Sequence, residues 1–330
     1  MNISNKVMNK ISDLAVKGEQ FFFIIDFTGE RSEVLTPAEA FKQGIYFDIE
    51  GNTNFSVQER DDAQNGKIQK KEFRIFPVPF NDYLVSFKKV QDALKRGDTY
   101  LMNLTFRTRI ETKYSLEEIF RYSKARYKLL YKDSFVVFSP EKFISIRNGI
   151  IETRPMKGTI SANIDGAEDK ILKNPKELYE HNTIVDLLRN DLNIVATDVK
   201  VEKFRYVETL TTNKGDILQV SSVITGKLPD DYKNNMGEII ALLLPVGSVT
   251  GAPKERTIEL INRIENYQRG HYAGIFGYFD GNNLEAAVSI RFIERSEDGM
   301  FYKSGGGITA LSNPNEEYDE LINKIYVPFF

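Results

Sequence analysis

The chain has 330 residues, a formal net charge of −3 and 41% hydrophobic content, the profile of a globular protein with enough apolar residues for one big core or two modest ones. It has no cysteine and two histidines, which excludes disulfides, thiolate metal sites and a cysteine nucleophile and argues against a histidine-based zinc site. The segment Met1 to Lys17 is polar and mixed in charge, so neither a signal peptide nor a membrane span is expected, a cytoplasmic location follows by default, and no long basic run points to nucleic acid.

Phe21 to Phe27 is a continuous run of aromatic and β-branched residues that predicts an early buried strand, and Ile45 to Phe47 and Phe55 to Val57 predict others. The segment 59–72, rich in Asp, Asn, Gly and Lys, reads as a surface loop or hairpin tip. Asn81 stands where it can cap a helix that carries Phe87, Val90 and Leu94 at helical spacing and ends at Gly97. Tyr100 to Arg109 predicts a strand, and Ser115 with Glu118 forms a capping box for a helix to about Leu129. Phe135 to Phe138 and Phe143 to Ile146 predict strands around Ser139-Pro140-Glu141-Lys142, and Asn148-Gly149 is a strong hairpin turn.

The strand from Ile150 leads into Thr153-Arg154-Pro155-Met156-Lys157-Gly158-Thr159. Pro155 and Gly158 bracket Lys157 in a short stiff turn that can aim its amine inward, where it is a candidate nucleophile. Taken alone, a lysine on a loop is a surface residue. Antiparallel pairing can bring Glu141 across from this turn, although a surface glutamate at a strand bend is an equal reading. Asn174-Pro175 opens a helix through about Arg189, in which Glu177, Glu180, His181, Ile184 and Leu188 fall at steps of three and four. Carboxylates that share a face with apolar anchors suggest a hard cation, against the alternative of a solvated helix edge.

Asn193 to Leu210 and Asp216 to Leu228 predict long strands, and Met236 to Leu243 a helix that Pro245 ends. In the turn Gly247-Ser248-Val249-Thr250-Gly251-Ala252-Pro253-Lys254, Thr250 is a candidate cap and Pro253 a first-turn proline. The helix marked by Ile258, Ile261 and Ile264 then offers free backbone N–H groups to an anion, or is simply capped. Strands over Tyr272 to Asp280, Leu284 to Glu294 and Met300 to Thr309 are joined by hairpin turns at Asp280 to Asn283 and Ser296 to Gly299. Arg291 alternates with apolar neighbours and needs a carboxylate or a ligand, while Ser304-Gly305-Gly306-Gly307 lets a ligand approach the backbone. The last helix, about Asn315 to Tyr326, puts Glu317, Glu320, Leu321 and Lys324 on one face. Two such helices can hold one Mg2+ from both flanks, with waters and substrate oxygens completing the shell. The strand count and hairpins argue for a largely antiparallel α+β chain without a clear linker.

Arg154 to Thr159, Glu180-His181 with Val185 to Asp191, Gly247 to Lys254, Arg269-Gly270 with Gly277-Tyr278, Ser289-Ile290-Arg291, and Gly305 to Ile308 with Glu317 to Lys324 together resemble the chorismate-utilising enzymes, from about Asn81 onward. The resemblance implies a large two-layer sandwich of mainly antiparallel sheets with helices packed outside, in a single chorismate-binding domain over 1–330 (1–80 a short N-terminal part, 81–330 the catalytic core). It implies Glu180 and Glu320 as Mg2+ ligands, with Glu317 acting nearby through water, and Thr250, Gly251, Tyr278, Arg291, Gly306 and Gly307 as binders of the two substrate carboxylates. It implies Lys157 as the nucleophile and Glu141 as the general acid of an amination at C4 of chorismate that yields 4-amino-4-deoxychorismate. The ammonia would come from a separate glutamine amidotransferase subunit, because such subunits use a cysteine this chain lacks. Anthranilate synthases usually carry alanine where Lys157 stands, which makes amination with pyruvate elimination the second reading; a catalytically silent chorismate-binding protein is the third. Leu101 stands where relatives have glutamine or the lysine base of isochorismate synthases, and Gln219 where many have a histidine. An apolar Leu101 cannot deprotonate water, which counts against isochorismate formation.

Overall fold

In the computed structural model, which describes residues 3–56, 69, 71–212 and 215–329, the apolar alternation resolves into two nine-stranded sheets. The strands are β1 (Phe21–Ile25), β2 (Ser32–Leu35), β3 (Ile45–Ile49), β4 (Asn52–Thr53), β5 (Phe73–Phe76), β6 (Leu101–Thr112), β7 (Tyr127–Tyr131), β8 (Phe135–Ser139), β9 (Lys142–Arg147), β10 (Ile150–Thr153), β11 (Met156–Ser161), β12 (Thr197–Thr212), β13 (Gly215–Lys227), β14 (Gly251–Ala252), β15 (Ile275–Phe279), β16 (Leu284–Val288), β17 (Phe292–Ser296) and β18 (Gly299–Ile308). One sheet runs β11-β13-β10-β9-β16-β15-β1-β2 with β12 also on β13; the other runs β14-β6-β18-β17-β8-β7-β3-β4 with β5 on β6. Each described pairing is antiparallel. The helices are α1 (Asn5–Lys17), α2 (Pro37–Lys42), α3 (Phe80–Lys95), α4 (Leu116–Tyr122), α5 (Ala167–Lys173), α6 (Pro175–Val195), α7 (Met236–Leu243), α8 (Gly247–Thr250), α9 (Lys254–Ile264) and α10 (Pro314–Asn323).

The two sheets share one core. All five residues of β1 are buried, and the Phe22 ring stacks on Phe47 of β3 at 5.1 Å and 9°, which joins the sheets face to face. Truncating such a ring to alanine costs about 3–5 kcal/mol in a packed interior. A second apolar cluster, built from Ile110, Ile119, Phe120, Val136, Phe138 and Tyr302, lies where α4 covers the second sheet.

Several expected elements are corrected. The helix opened by the Ser115–Glu118 capping box ends at Tyr122, not near Leu129, because Tyr127–Tyr131 pairs as β7 with both β3 and β8. The run Leu284 to Glu294 is two strands, since the chain changes sheet after Val288. Helix α6 continues to Val195 and takes Asn193 from the expected strand. Helix α3 begins at Phe80 after Pro79, so Asn81 lies inside it and caps nothing. Thr250 closes the one-turn α8 and so does not cap α9, and Pro253 is the N-cap of α9, without a side-chain bond, in place of its first-turn proline. Phe55 lies in a bend after the short β4, while Val57 and most of 59–72 lie outside the described residues. The polar N-terminal segment, expected only to be neither leader nor membrane span, is helix α1, with Ser4 accepting from the Val7 amide and Gly18 closing it at φ 66°. Among the described residues no helix is long and apolar enough to cross a membrane.

Candidate active site

Two sheet-to-sheet crossings place the charged groups. The chain leaves β8 in one sheet and enters β9 in the other through Pro140-Glu141, and returns from β16 to β17 through Ser289-Ile290-Arg291. The crossings are hydrogen-bonded to each other: the Val288 amide donates to the Glu141 carbonyl, and the Phe138 amide donates to the Arg291 carbonyl, each at 3.1 Å. Arg291 holds a left-handed φ of 53°, the backbone setting that turns the strand from one sheet to the other. Its Nε is buried without a hydrogen-bond partner, and its guanidinium lies over the Tyr326 ring at 5.5 Å.

Lys157 comes from a break in the first sheet. β10 and β11 lie end to end along β13, separated by Arg154-Pro155, and the β11 register against β13 shifts between Met156 and Thr159. Gly158 takes φ 87° inside that bulge, so the expected stiff turn is a kinked edge strand. A Cβ built on Gly158 would lie 2.9 Å from Glu177 Oε2, which fixes the first turn of α6 against the lysine's neighbour. Beneath it, buried His181 bonds Ser222 Oγ through Nε2 at 2.7 Å. Burial, then the charge of Arg205, pulls this imidazole down to about 4, so it is neutral at pH 7.

β18 carries the glycines to the same place. It pairs with β6 so that Gly306 opposes Leu104 and Gly307 opposes Asn103. A Cβ on Gly307 would lie 3.7 Å from Lys157 Nζ and 3.1 Å from Leu101 Cδ1, so the lysine amine and the apolar Leu101 flank one glycine. A Cβ on Gly306 would lie 3.5 Å from Glu317 Oε2 and 3.6 Å from Glu320 Oε1, both on α10. Lys324 pairs with Glu320 at 2.5 Å and donates to the Gly305 carbonyl at 2.8 Å. Burial lowers its pKa, the charges of Arg291 and Lys157 push the same way, and Glu320 opposes.

Glu141 is the focus of this field. Burial raises its carboxyl pKa above the usual carboxylate range, against a hydrogen bond donated by Ser248 Oγ to Oε1 and the charges of Lys157, Arg291 and Lys324. Ser248 belongs to α8, which Arg269 fixes by donating Nη1 to the Val249 carbonyl at 2.8 Å. Gly251 pairs with Met102 through β14, and Thr250 Oγ1 is buried without a partner.

The structure thus brings Lys157, Glu141, Arg291, Gly306, Gly307, Glu317 and Glu320 into one neighbourhood. Glu180 lies on α6 three residues beyond Glu177, on the same helix face. Tyr278 is not brought in: its ring packs on Phe47 at 5.4 Å, and it lines a cavity with Arg147, Asp280 and Glu285. The tyrosine beside the site is Tyr272, buried, with Arg291 and Glu141 among the charges acting on its hydroxyl. Sequence reasoning passed over Tyr272, Ser248 and the pairing of Lys324; the signal for the last is its spacing of four from Glu320.

Two carboxylates over a glycine that leaves the space of a side chain fit a hard cation, since Mg2+ takes oxygen ligands and usually one or two carboxylates alongside water and substrate. Among the described residues no three carboxylates or histidines converge closely enough to enclose an ion by themselves.

Two antiparallel sheets that bring a lysine, a glutamate and an arginine together where the chain crosses between them define an enzyme class suited to a small anionic substrate. The chain matches the family of chorismate binding enzymes over residues 33–329, and it belongs to that family. It is 48% identical over 93% of its length to an uncharacterized PabA-like protein of Haemophilus influenzae, covering 92% of that protein. It is 32% identical over 74% of its length to aminodeoxychorismate synthase component 1 of Salmonella typhimurium, of which it spans 56%. Among solved structures, anthranilate synthase component I of Streptococcus pneumoniae superposes with a TM-score of 0.66 at 28% identity, covering 78% of this chain and 59% of that one. The protein is an enzyme acting on chorismate.

Proposed function

We propose that this chain aminates chorismate at C4 to 4-amino-4-deoxychorismate, as an aminodeoxychorismate synthase subunit. The observation that carries this reading is the placing of the Lys157 amine beside Gly307 with its charge acting on the buried Glu141 carboxyl. Burial keeps Glu141 protonated at higher pH than an exposed glutamate, and a protonated carboxyl is what a poor hydroxide leaving group needs. Glu141 gives its proton to the C4 hydroxyl as that group leaves, while the Lys157 amine adds at C2 and the ring double bond shifts. Ammonia then attacks C4, the double bond shifts back, and the C2–nitrogen bond to Lys157 breaks.

Arg291 and the backbone around Gly306 and Gly307 hold the substrate carboxylates, with Tyr272 in the place first assigned to Tyr278, and Thr250 and Gly251 close the opposite side. Glu180, Glu317 and Glu320 would hold Mg2+, which when bound supplies the positive charge that lets a carboxylate of the substrate sit among glutamates. The apolar Leu101 beside the lysine offers no base for water. This supports amination over hydration. With no cysteine, the chain relies on a glutamine amidotransferase partner, or on free ammonia in vitro.

The test is turnover of chorismate by the purified chain with Mg2+ and ammonium, following aminodeoxychorismate and pyruvate, with Lys157→Ala beside the wild type. Aminodeoxychorismate without pyruvate, lost in the variant, is the expected result. Pyruvate release would favour the anthranilate reading, an unchanged rate in Lys157→Ala would remove the lysine from the mechanism, and activity with glutamine from this chain alone would overturn the partner.

A further inference from the structure

Glu141 has two carboxyl oxygens, and the chain distinguishes them. Oε1 accepts from Ser248 Oγ, and the carboxylate is anchored from behind by its own amide, which donates to Ser139 Oγ at 3.1 Å, and by its carbonyl, which accepts from Val288. Ser248 in turn sits on a one-turn helix fixed at three points. Arg269 Nη1 holds the Val249 carbonyl at 2.8 Å, the Val249 amide bonds the Val246 carbonyl at 3.3 Å, and Gly247 lies against Leu187 and Asp191 of α6 so closely that a Cβ there would come within 2.7 Å of Leu187 Cδ2. The hydroxyl is therefore presented to Glu141 by a rigid element.

We propose that Ser248 is a positioning residue which, by donating its hydroxyl proton to Oε1 of Glu141, confines the acid's transferable proton to Oε2. The reason is elementary: an oxygen that accepts a hydrogen bond from a hydroxyl is the carbonyl-type oxygen of the protonated acid, so the proton occupies the other one. Without the serine, either oxygen can carry the proton, and part of the population has it on the oxygen turned toward α8. The same hydrogen bond is stronger to the ionised form, so it works against burial. The other groups acting on Glu141 are the cations Lys157 on β11, Arg291 in the second crossing and Lys324 after α10. Tyr272, whose hydroxyl is held far above its usual range by burial, stands neutral beside them. Among these groups, Ser248 alone is a neutral donor hydrogen-bonded to the carboxyl.

This inference rests on Glu141 being the general acid of the amination, and the experiment separates the two. The carbonyl stretch of protonated Glu141 is identified by infrared difference spectroscopy as the band missing in Glu141→Gln, and is titrated in the wild type, Ser248→Ala and Ser248→Thr. Amination is measured alongside at constant free ammonia. In Ser248→Ala the band is expected at higher frequency and its titration about one pH unit higher, because a bond to the charged form has been lost. The amination rate is expected to fall about tenfold, a part of the full contribution of a general acid. Ser248→Thr, which keeps the hydroxyl, restores all three. A titration that stays in place or moves down in Ser248→Ala overturns the inference, the downward shift meaning that the serine had been accepting from the acid. If Glu141→Gln aminates chorismate like the wild type, the acid assignment fails instead, whatever Ser248 does to the band.

Discussion

The amide of Val288 donates to the carbonyl of Glu141 across 3.1 Å, tying together two segments that are 147 residues apart in the chain only through their shared role as crossings between the sheets. Phe138 and Arg291 make the reciprocal bond. The acid and the arginine are therefore placed by backbone pairing at the junction of two large sheets, and neither depends on a mobile loop. Sites held this way keep their geometry when a side chain is changed, which makes substitutions here informative about chemistry.

Glu141→Gln keeps the shape and the ability to accept from Ser248 but cannot protonate a leaving hydroxyl. Amination is expected to fall at least about 100-fold, the lower end of what general acids contribute, with the chorismate KM little changed. Thermal unfolding should stay within a few degrees of the wild type, since a neutral amide replaces a buried acid. A rate within a few-fold of the wild type would assign the proton to another donor.

Gly306→Ala and Gly307→Ala fill the space between the lysine and the carboxylates of α10. The added Cβ on Gly306 meets Glu317 and Glu320 at ordinary contact distance, and that on Gly307 meets only the end of the Leu101 side chain closely, at 3.1 Å. Both folds should survive with melting temperatures lowered by a few degrees at most. Turnover of chorismate should drop at least about tenfold, with Gly306→Ala also needing more Mg2+ for half-maximal rate. Wild-type kinetics in both would mean that the substrate lies elsewhere.

What the sequence made legible was periodicity and turn chemistry: the Asn148-Gly149 hairpin, the capping box at Ser115 and the carboxylates of the last helix needed only neighbours a few residues away. What it hid was long-range. Tyr127 to Leu130 carries helix-compatible residues, and only pairing with β3 and β8 makes them a strand. Leu284 to Glu294 reads as one run because a change of sheet leaves no mark in the composition, apart from Arg291 in a left-handed conformation. Tyr272 and Tyr278 lie six residues apart on neighbouring stretches, and nothing local says which of the two faces Arg291.

Arg269 and Glu265 form a fully buried pair at 2.6 Å, and Arg269 also donates to the carbonyls of Val249 and Asn103, while the Arg269 carbonyl accepts from Lys303 Nζ at 2.9 Å. Arg269→Met leaves Glu265 charged in the interior and releases α8, so a loss of about 3–5 kcal/mol is expected from urea unfolding. Combining it with Glu265→Leu should recover a large part, because the uncompensated charge goes with it. A single-variant cost below about 1 kcal/mol would show that solvent reaches the pair.

His271 offers a measurable pH dependence in a chain with two histidines. Its ring packs on Tyr131 and Phe135 at 5.4 and 5.2 Å, and its pKa is pulled from 6.5 to about 4, first by burial and then by Arg31 and Lys303, with Asp26 and Glu33 opposing. In the unfolded chain the imidazole takes a proton as the pH falls through 6.5, while the folded one resists until about 4. Between those values the unfolded state binds more protons, so stability rises with pH across the window and is lost as the pH falls through it, by about 3 kcal/mol at the limit for one such group. His271→Phe keeps the aromatic packing and removes the titration. Urea midpoints measured from pH 7 to 4.5 should therefore fall less steeply in the variant than in the wild type, the remaining slope coming from His181 and the carboxylates. Parallel curves would mean that His271 protonates in the folded protein as readily as in the unfolded chain.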